Sequence, residues 1–131
     1  RYYGYDDAPY AAVRLIEAAT KLGQSVTQLR GDMAPMVNTP ELRFQVDEVR
    51  KFAIVDEVLD RLAASGAQVD RTDGARVLTD DGWWLLRASN TQDVLVARAE
   101  AKDEAALTRL LAAIDEQLAC SGIVRGPHAG H

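Results

Sequence analysis

The segment from residue 68 to residue 100 constrains the fold most, because it alternates short apolar runs with turn residues. Two of its turns end in Asp-Gly, at Asp73-Gly74 and Asp81-Gly82, and Asp-Gly between apolar runs is the strongest short-range signal for a β-hairpin. These runs and an alternating segment upstream of them have strand character: 41–46, 68–71, 75–79, 83–88 and 94–100. The segment therefore predicts an antiparallel meander.

Amphipathic helices are expected on either side of this meander. From Glu48 to Ser65 the apolar residues recur at helical spacing, and a second such pattern opens at Ala101 or Asp103 and ends before Gly122. The apolar positions of the first helix are Val49, Phe52, Ala53, Val55, Val58, Leu59 and Leu62. Its charged residues, Arg50, Lys51, Glu57, Asp60 and Arg61, are expected to form a solvated face.

An α+β architecture buries all these apolar stripes at once. We expect an antiparallel four-stranded sheet with two helices on one face, preceded by one extra helix and a linker. The extra helix is predicted at 7–22, with Asp7 before it, Pro9 in its first turn and Gly23 as its stop. The expected division is 1–23 for the end of a preceding domain, 24–37 for the linker, 38–123 for the main domain and 124–131 for a flexible tail.

Composition excludes several classes of protein. A chain of 131 residues provides about one domain, and 15 basic against 20 acidic residues give a net charge of −5, opposite in sign to a general nucleic-acid binder. The longest apolar runs, 52–55 and 83–86, are far shorter than a membrane span. The single Cys120 indicates a reducing, cytoplasmic compartment. Since the sequence begins at Arg1 without Met, we expect it to be a piece of a longer chain.

The run from Arg87 to Gln92 is the most informative chemically. Arg87 offers a planar fork of donors that suits phosphate oxygens, and Ser89, Asn90, Thr91 and Gln92 add neutral donors and turn amides around the same point. The alternative is a polar hairpin turn, because Ser, Asn and Thr favour turns in any case. The residues alone leave both interpretations open.

Other polar groups favour structural roles. The pairs Asp6-Asp7 and Asp80-Asp81 fit helix capping and hairpin chemistry better than metal binding. His128 and His131 lie in a Gly/Pro-rich tail without further metal ligands nearby. No nucleophile with a neighbouring base is evident, so we predict no catalytic residue and no metal ligand in this sequence.

Several motifs resemble the C-terminal domain of bacterial phosphomannomutase/phosphoglucomutase, an α-D-phosphohexomutase. The resemblance lies in 73–77, 81–92 with its Arg-Ala-Ser-Asn-Thr run, and 94–101, while 37–43 and 51–55 are similar to the opening of that domain. Residues 1–7 and 10–17 resemble the end of the family's third domain, just past its sugar-recognition loop. The family fold is a TATA-binding-protein-like α+β layer.

The resemblance implies a four-domain parent that interconverts hexose 1-phosphate and hexose 6-phosphate, with mannose or glucose as the sugar. It implies a phosphoserine, a magnesium site and a sugar-discriminating loop in the other domains, with a hexose 1,6-bisphosphate activator. Here it assigns the phosphate-binding loop, namely Arg87, Ser89, Asn90, Thr91 and Gln92.

The expected partners are therefore a phosphosugar and the other domains of the parent, with no nucleic acid and no membrane, and the fragment alone should be inactive. Asp93 departs from the family's usual Pro, and Ala8-Pro9 from a Gly and an apolar residue. The alternative function is a non-catalytic ligand-sensing or protein-interaction domain.

Overall fold

A computed structural model describes residue 4 and residues 6–125 of the chain. Two compact units are divided between Pro35 and Met36. The predicted tail 124–131, with both histidines, lies outside the described residues except for its first two positions. Among the described helices, none has the length and apolar character that crossing a membrane requires.

The first unit contains two helices, α1 (Ala8–Leu22) and α2 (Val26–Gly31). The Asp7 side chain accepts a hydrogen bond from the Tyr10 N–H at 2.9 Å, and Gly23 ends α1 with φ of 63°. The prediction of one extra helix was incomplete, because α2 lies inside the expected linker. A capping box stabilises its start: Ser25 and Gln28 each accept a hydrogen bond from the other's backbone N–H.

The second unit is an α+β domain. Its elements in chain order are β1 (Val37–Asn38), β2 (Leu42–Gln45), α3 (Glu48–Ala64), β3 (Gln68–Asp70), β4 (Ala75–Thr79), β5 (Gly82–Ala88), β6 (Val94–Ala101) and α4 (Glu104–Cys120). All pairings are antiparallel, in the order β3-β4-β5-β6, with β1 and β2 both on the free side of β6. The α+β class is confirmed.

The predicted number of four strands was wrong, since the described sheet has six. All five segments with strand character join it, and β1 adds the sixth. Pro40 interrupts the edge between β1 and β2, where a residue without an N–H is tolerated. Thr39 bridges the interruption: its N–H donates to the Ala99 carbonyl at 2.9 Å, and its Oγ1 accepts from the Ala99 N–H at 3.1 Å.

One face of the sheet packs against α3 and α4. Alternate residues of the strands, such as Phe44, Trp84 and Leu86, join Val58 and Ile114 of the helices in a single buried core. The intervening residues lie on the opposite face, which we call the open face. Because side chains alternate along a strand, Arg87 lies on the open face, between buried Leu86 and buried Ala88.

The buried side of α3 differs from the predicted one. Val49 is 86% exposed and Phe52 is 53% exposed, whereas Ile54 is buried. Lys51, predicted to be solvated, is only 3% exposed. Lys51 and Ile54 are three residues apart and lie on the same side of α3 as Val58 and Leu62. The side of the helix that packs against the sheet is therefore rotated away from the side that carries Val49 and Phe52.

Candidate functional site

Arg87 is the last open-face residue of β5. Its side chain is 33% exposed, and its nearest acidic group is the carboxylate of Asp73, with Nε 3.8 Å from Oδ2. Asp73 is 72% exposed, and the separation exceeds a hydrogen bond, so this ion pair holds the guanidinium weakly. Most of the donor capacity of Arg87 therefore remains available to a ligand.

The turn before β4 fixes the position of Arg87. Gly74 has φ of 80°, and a Cβ at this position would lie 2.7 Å from the Cβ of Arg87. Only glycine combines this backbone conformation with such a close approach to β5. The Asp-Gly signal that predicted the hairpin therefore also determines the surroundings of Arg87.

Residues 89–93, which we call the loop, connect β5 to β6. The Ser89 N–H donates to the Val94 carbonyl at 3.0 Å and closes the hairpin. The Ser89 Oγ accepts from the N–H groups of Gln92 at 3.2 Å and Thr91 at 3.4 Å. Ser89 is buried, so its side chain organises the loop from within, as serine does in turns.

The tip of the loop is open to solvent. Asn90, Thr91, Gln92 and Asp93 are exposed. The backbone N–H groups of Asn90 and Asp93 donate to no acceptor among the described residues. Turn N–H groups that have no acceptor within the protein are donors that an anion can use.

Two cationic side chains that the sequence did not single out support the loop. Arg43 Nη1 donates to the Gln92 side-chain oxygen at 2.9 Å, and Lys51 Nζ donates to the Gln92 carbonyl at 3.1 Å. Arg43 comes from β2 on the open face, whereas Lys51 comes from α3 in the helical layer. Gln92 is thus held on two sides by residues more than 40 positions away. Of the two cationic residues, only Lys51 could have been found from the local sequence, because it lies at helical spacing from the buried residues Val55, Val58 and Leu62.

The register places Arg43 and Arg87 together. Both pair with Val96, one from each side of β6, so they flank the same residue on the open face. Gln92 bonds to Arg43 and therefore borders this face as well. The five predicted site residues thus lie at one end of the sheet, but Gln92 and the Ser89 hydroxyl already have partners within the chain.

Basic residues outnumber acidic ones on the open face. The strand residues with charged side chains there are Arg43, Arg76, Arg87, Arg98, Asp70 and Glu100. Arg76 stacks on Trp83, with its guanidinium carbon 4.7 Å from the ring centre. Among these strand residues four are basic and two are acidic, although Glu41 pairs with Arg43 at 2.8 Å and Asp73 lies 3.8 Å from Arg87. The excess of guanidinium groups on the strands favours an anionic ligand.

One carboxylate of each acidic pair has a structural role, since Asp7 caps α1 and Asp81 binds two basic side chains. Asp81 accepts two hydrogen bonds from Arg109, each at 2.6 Å, and forms an ion pair with Lys102 at 3.1 Å. These contacts hold the pKa of the Asp81 carboxyl well below its usual range. Within the described part of the chain, no group of three His, Cys, Asp or Glu residues is placed to hold a metal ion.

Comparison with known proteins agrees with the motifs. The family model of the phosphoglucomutase/phosphomannomutase C-terminal domain matches residues 41–117. The phosphomannomutase/phosphoglucomutase of Pseudomonas putida is 43% identical over 111 residues, which are 84% of this chain and 24% of that protein. The phosphoglucomutase of Neisseria meningitidis serogroup A is 34% identical over 112 residues, again 84% of this chain and 24% of that protein.

A solved structure shows the same likeness in three dimensions. A phosphoglucomutase/phosphomannomutase family protein from Burkholderia thailandensis superposes with a TM-score of 0.72 and 32% identity, covering 98% of this chain and 26% of that one. The chain thus spans about a quarter of the length of the relatives it matches. The match extends over more than half of the chain, and the resemblance to the family's C-terminal domain is confirmed. The chain belongs to the phosphoglucomutase/phosphomannomutase family, and its residues 41–117 correspond to the family's C-terminal domain.

Proposed function

We propose that this domain binds the phosphate group of a hexose phosphate, with Arg87 and the loop as the binding site. The proposed donors are the Arg87 guanidinium, the side chains of Ser89, Asn90 and Thr91, and two N–H groups of the loop. These N–H groups, of Asn90 and Asp93, have no acceptor among the described residues. Gln92 has a supporting role, because its side-chain oxygen is engaged by Arg43. In this proposal the domain holds substrate and contributes no catalytic residue.

The observation that carries the proposal is the weak internal pairing of Arg87. A guanidinium that served the fold would be expected to form a close, bidentate ion pair, as Arg109 does with Asp81. Within residues 6–125, Arg87 instead has one acidic neighbour, at 3.8 Å, and it is one-third exposed at the edge of a loop with N–H groups that find no acceptor in this range. Fixed donors without internal acceptors are typical of an anion site.

The proposed substrate class follows from the activities for which the related enzymes are named. Mutases acting on glucose and mannose phosphates move a phosphate between two positions of the sugar, so the phosphate that does not react must be held while the other end is transferred. Binding energy at this remote phosphate orients the sugar for the reaction. We propose that the loop accepts the phosphate from either end of the hexose.

The parent reaction also implies magnesium and a hexose 1,6-bisphosphate activator. The described residues do not fit a magnesium site, since they contain no suitable cluster of ligands. We propose that both groups act in domains outside this chain, that residues 1–23 belong to the preceding domain, and that the parent is cytoplasmic. The lone, exposed Cys120 is compatible with a reducing compartment.

A titration of the chain with glucose 1-phosphate tests the site. Nitrogen–proton correlation spectra should show shifts in the amides of residues 89–93 and in the Arg87 side chain, with a Kd of about 1 mM or weaker because only one domain is present. Glucose at the same concentrations is the matched control without phosphate. Shifts that are absent from the loop, or equal with glucose, would refute the proposal and favour a structural turn.

A further inference from the structure

Lys51 stands out as a buried cation beneath the loop. Its side chain is 3% exposed, although lysine is almost never fully buried without a partner. Its nearest carboxylate, Asp93, is 61% exposed and 3.7 Å away, which is too far for a hydrogen bond. Its one hydrogen bond among the described residues is to the main-chain carbonyl of Gln92, at 3.1 Å.

We propose that Lys51 is a positioning residue for the phosphate site, whose ammonium group fixes the loop conformation that presents donors to the ligand. This inference rests on the proposed function. In a trans peptide the C=O and the following N–H point in opposite directions. Since the Gln92 carbonyl points at Lys51, the Asp93 N–H points away from the helical layer. It is one of the two loop N–H groups that have no acceptor in the described part of the chain.

The loop has few other restraints at this peptide. The Val46 N–H donates to the Asp93 carbonyl at 3.1 Å and ties the next peptide to the start of α3. Arg43, which also pairs with Glu41, reaches the side chain of Gln92 but not its main-chain carbonyl. The orientation of the Gln92–Asp93 peptide therefore depends on Lys51. Its positive charge also lies behind the loop, where it favours an anion at the tip without being available to solvent.

Lys102 provides a matched control at the other end of β5. Its Nζ also donates to a turn carbonyl, that of Asp80 at 3.2 Å, and it also has a carboxylate nearby, Asp81 at 3.1 Å. It differs in being exposed and in contacting the turn between β4 and β5 instead of the loop. Lys51→Met and Lys102→Met each remove one lysine-to-turn hydrogen bond and keep a linear apolar side chain.

The experiment compares these two variants with the unsubstituted chain, using glucose 1-phosphate as the probe. Lys51→Met should raise the Kd about 10-fold or more, because it removes one hydrogen bond that involves a charged group. Lys102→Met should change the Kd by less than about twofold. Amide exchange at Thr91 and Gln92 should accelerate in Lys51→Met before any ligand is added. Lys51→Arg should recover part of the affinity, since it keeps a cation at this position.

The outcomes separate this inference from the proposed function. Unchanged affinity and unchanged loop exchange in a folded Lys51→Met variant would overturn the positioning role and leave the phosphate site standing. Absence of loop shifts in the unsubstituted chain would overturn the phosphate site itself. If Lys51→Met does not fold, the test is the scalar coupling between Lys51 Nζ and the Gln92 carbonyl carbon, measured in the unsubstituted chain. Absence of this coupling would overturn the positioning role. Its presence, together with ligand-induced shifts of the Lys51 ammonium resonance, would support that role.

Discussion

Replacement of Arg87 by alanine is the perturbation from which the structure predicts most. The internal ion pair with Asp73 is long and exposed, so its loss should cost about 0 to 1 kcal/mol of folding stability. A phosphate bound by the guanidinium would gain about 1.5 to 3 kcal/mol from the charge-assisted hydrogen bonds. At about 1.4 kcal/mol per tenfold change, Arg87→Ala should weaken phosphate recognition by about 10- to 150-fold.

The assay is kcat/KM for hexose 1-phosphate in a full-length enzyme that carries this domain, with chemical denaturation as the control for folding. Arg87→Lys should recover only part of the loss, because an ammonium keeps the charge but lacks the planar fork. In the isolated chain, Arg87→Ala should abolish the loop shifts at millimolar glucose 1-phosphate. Full activity of a well-folded Arg87→Ala enzyme at ordinary substrate concentration would refute the reasoning.

Three further predictions concern the rest of the domain. Gly74→Ala should lower the free energy of unfolding by about 2 to 4 kcal/mol in chemical denaturation, since a Cβ would overlap β5. The control is Gly66→Ala, at φ of 71° with open space around it, which should lower the free energy of unfolding by only about 1 to 2 kcal/mol. Equal losses in the two variants would contradict this reasoning. The pKa of Asp81 is lowered mainly by its hydrogen bonds to Arg109 and next by Lys102, so Asp81 stabilises the fold above its unfolded pKa and loses this contribution as the pH falls toward the folded pKa. Asp81→Asn should therefore be less stable than the unsubstituted chain at neutral pH, and the difference in stability should shrink below about pH 4. A difference that does not change with pH would contradict a stabilising role of the Asp81 carboxylate. The purified chain should show no mutase turnover at any magnesium concentration, because phosphoryl transfer needs a metal and a phosphorylated nucleophile that its described residues do not supply; activity that persists after removal of contaminating enzyme would overturn the domain assignment.

The hairpins were predictable because their signals are local. Asp73-Gly74 and Asp81-Gly82 mark turns whose residues are adjacent in the sequence, and strands β4 and β5 begin within a residue of the predicted positions. The two-residue β1 could not be found this way. It has no periodicity of its own and exists because the free side of β6 offers unpaired backbone groups at Glu100 and Ala101.

The supports of the loop were also beyond local reasoning. Arg43 and Gln92 are 49 positions apart, and only the pairing of β2 with β6 brings them together. For α3 the predicted buried side was wrong because Val49 and Phe52 fit helical spacing as well as the residues that are buried in the structure. The position of the sheet decides which side of the helix is buried. Recognition of the Arg-Ala-Ser-Asn-Thr run identified the family, but the role of its residues in phosphate binding stays a prediction.

The most direct test of the central claim compares the two substrate isomers. If one anion site serves both ends of the sugar, glucose 1-phosphate and glucose 6-phosphate should shift the same loop amides and the Arg87 side chain, compete for one site, and have Kd values within about 10-fold of each other. Glucose should shift none of them. Binding of the two isomers at different residues, or of one isomer only, would contradict a shared phosphate site at Arg87 and the loop.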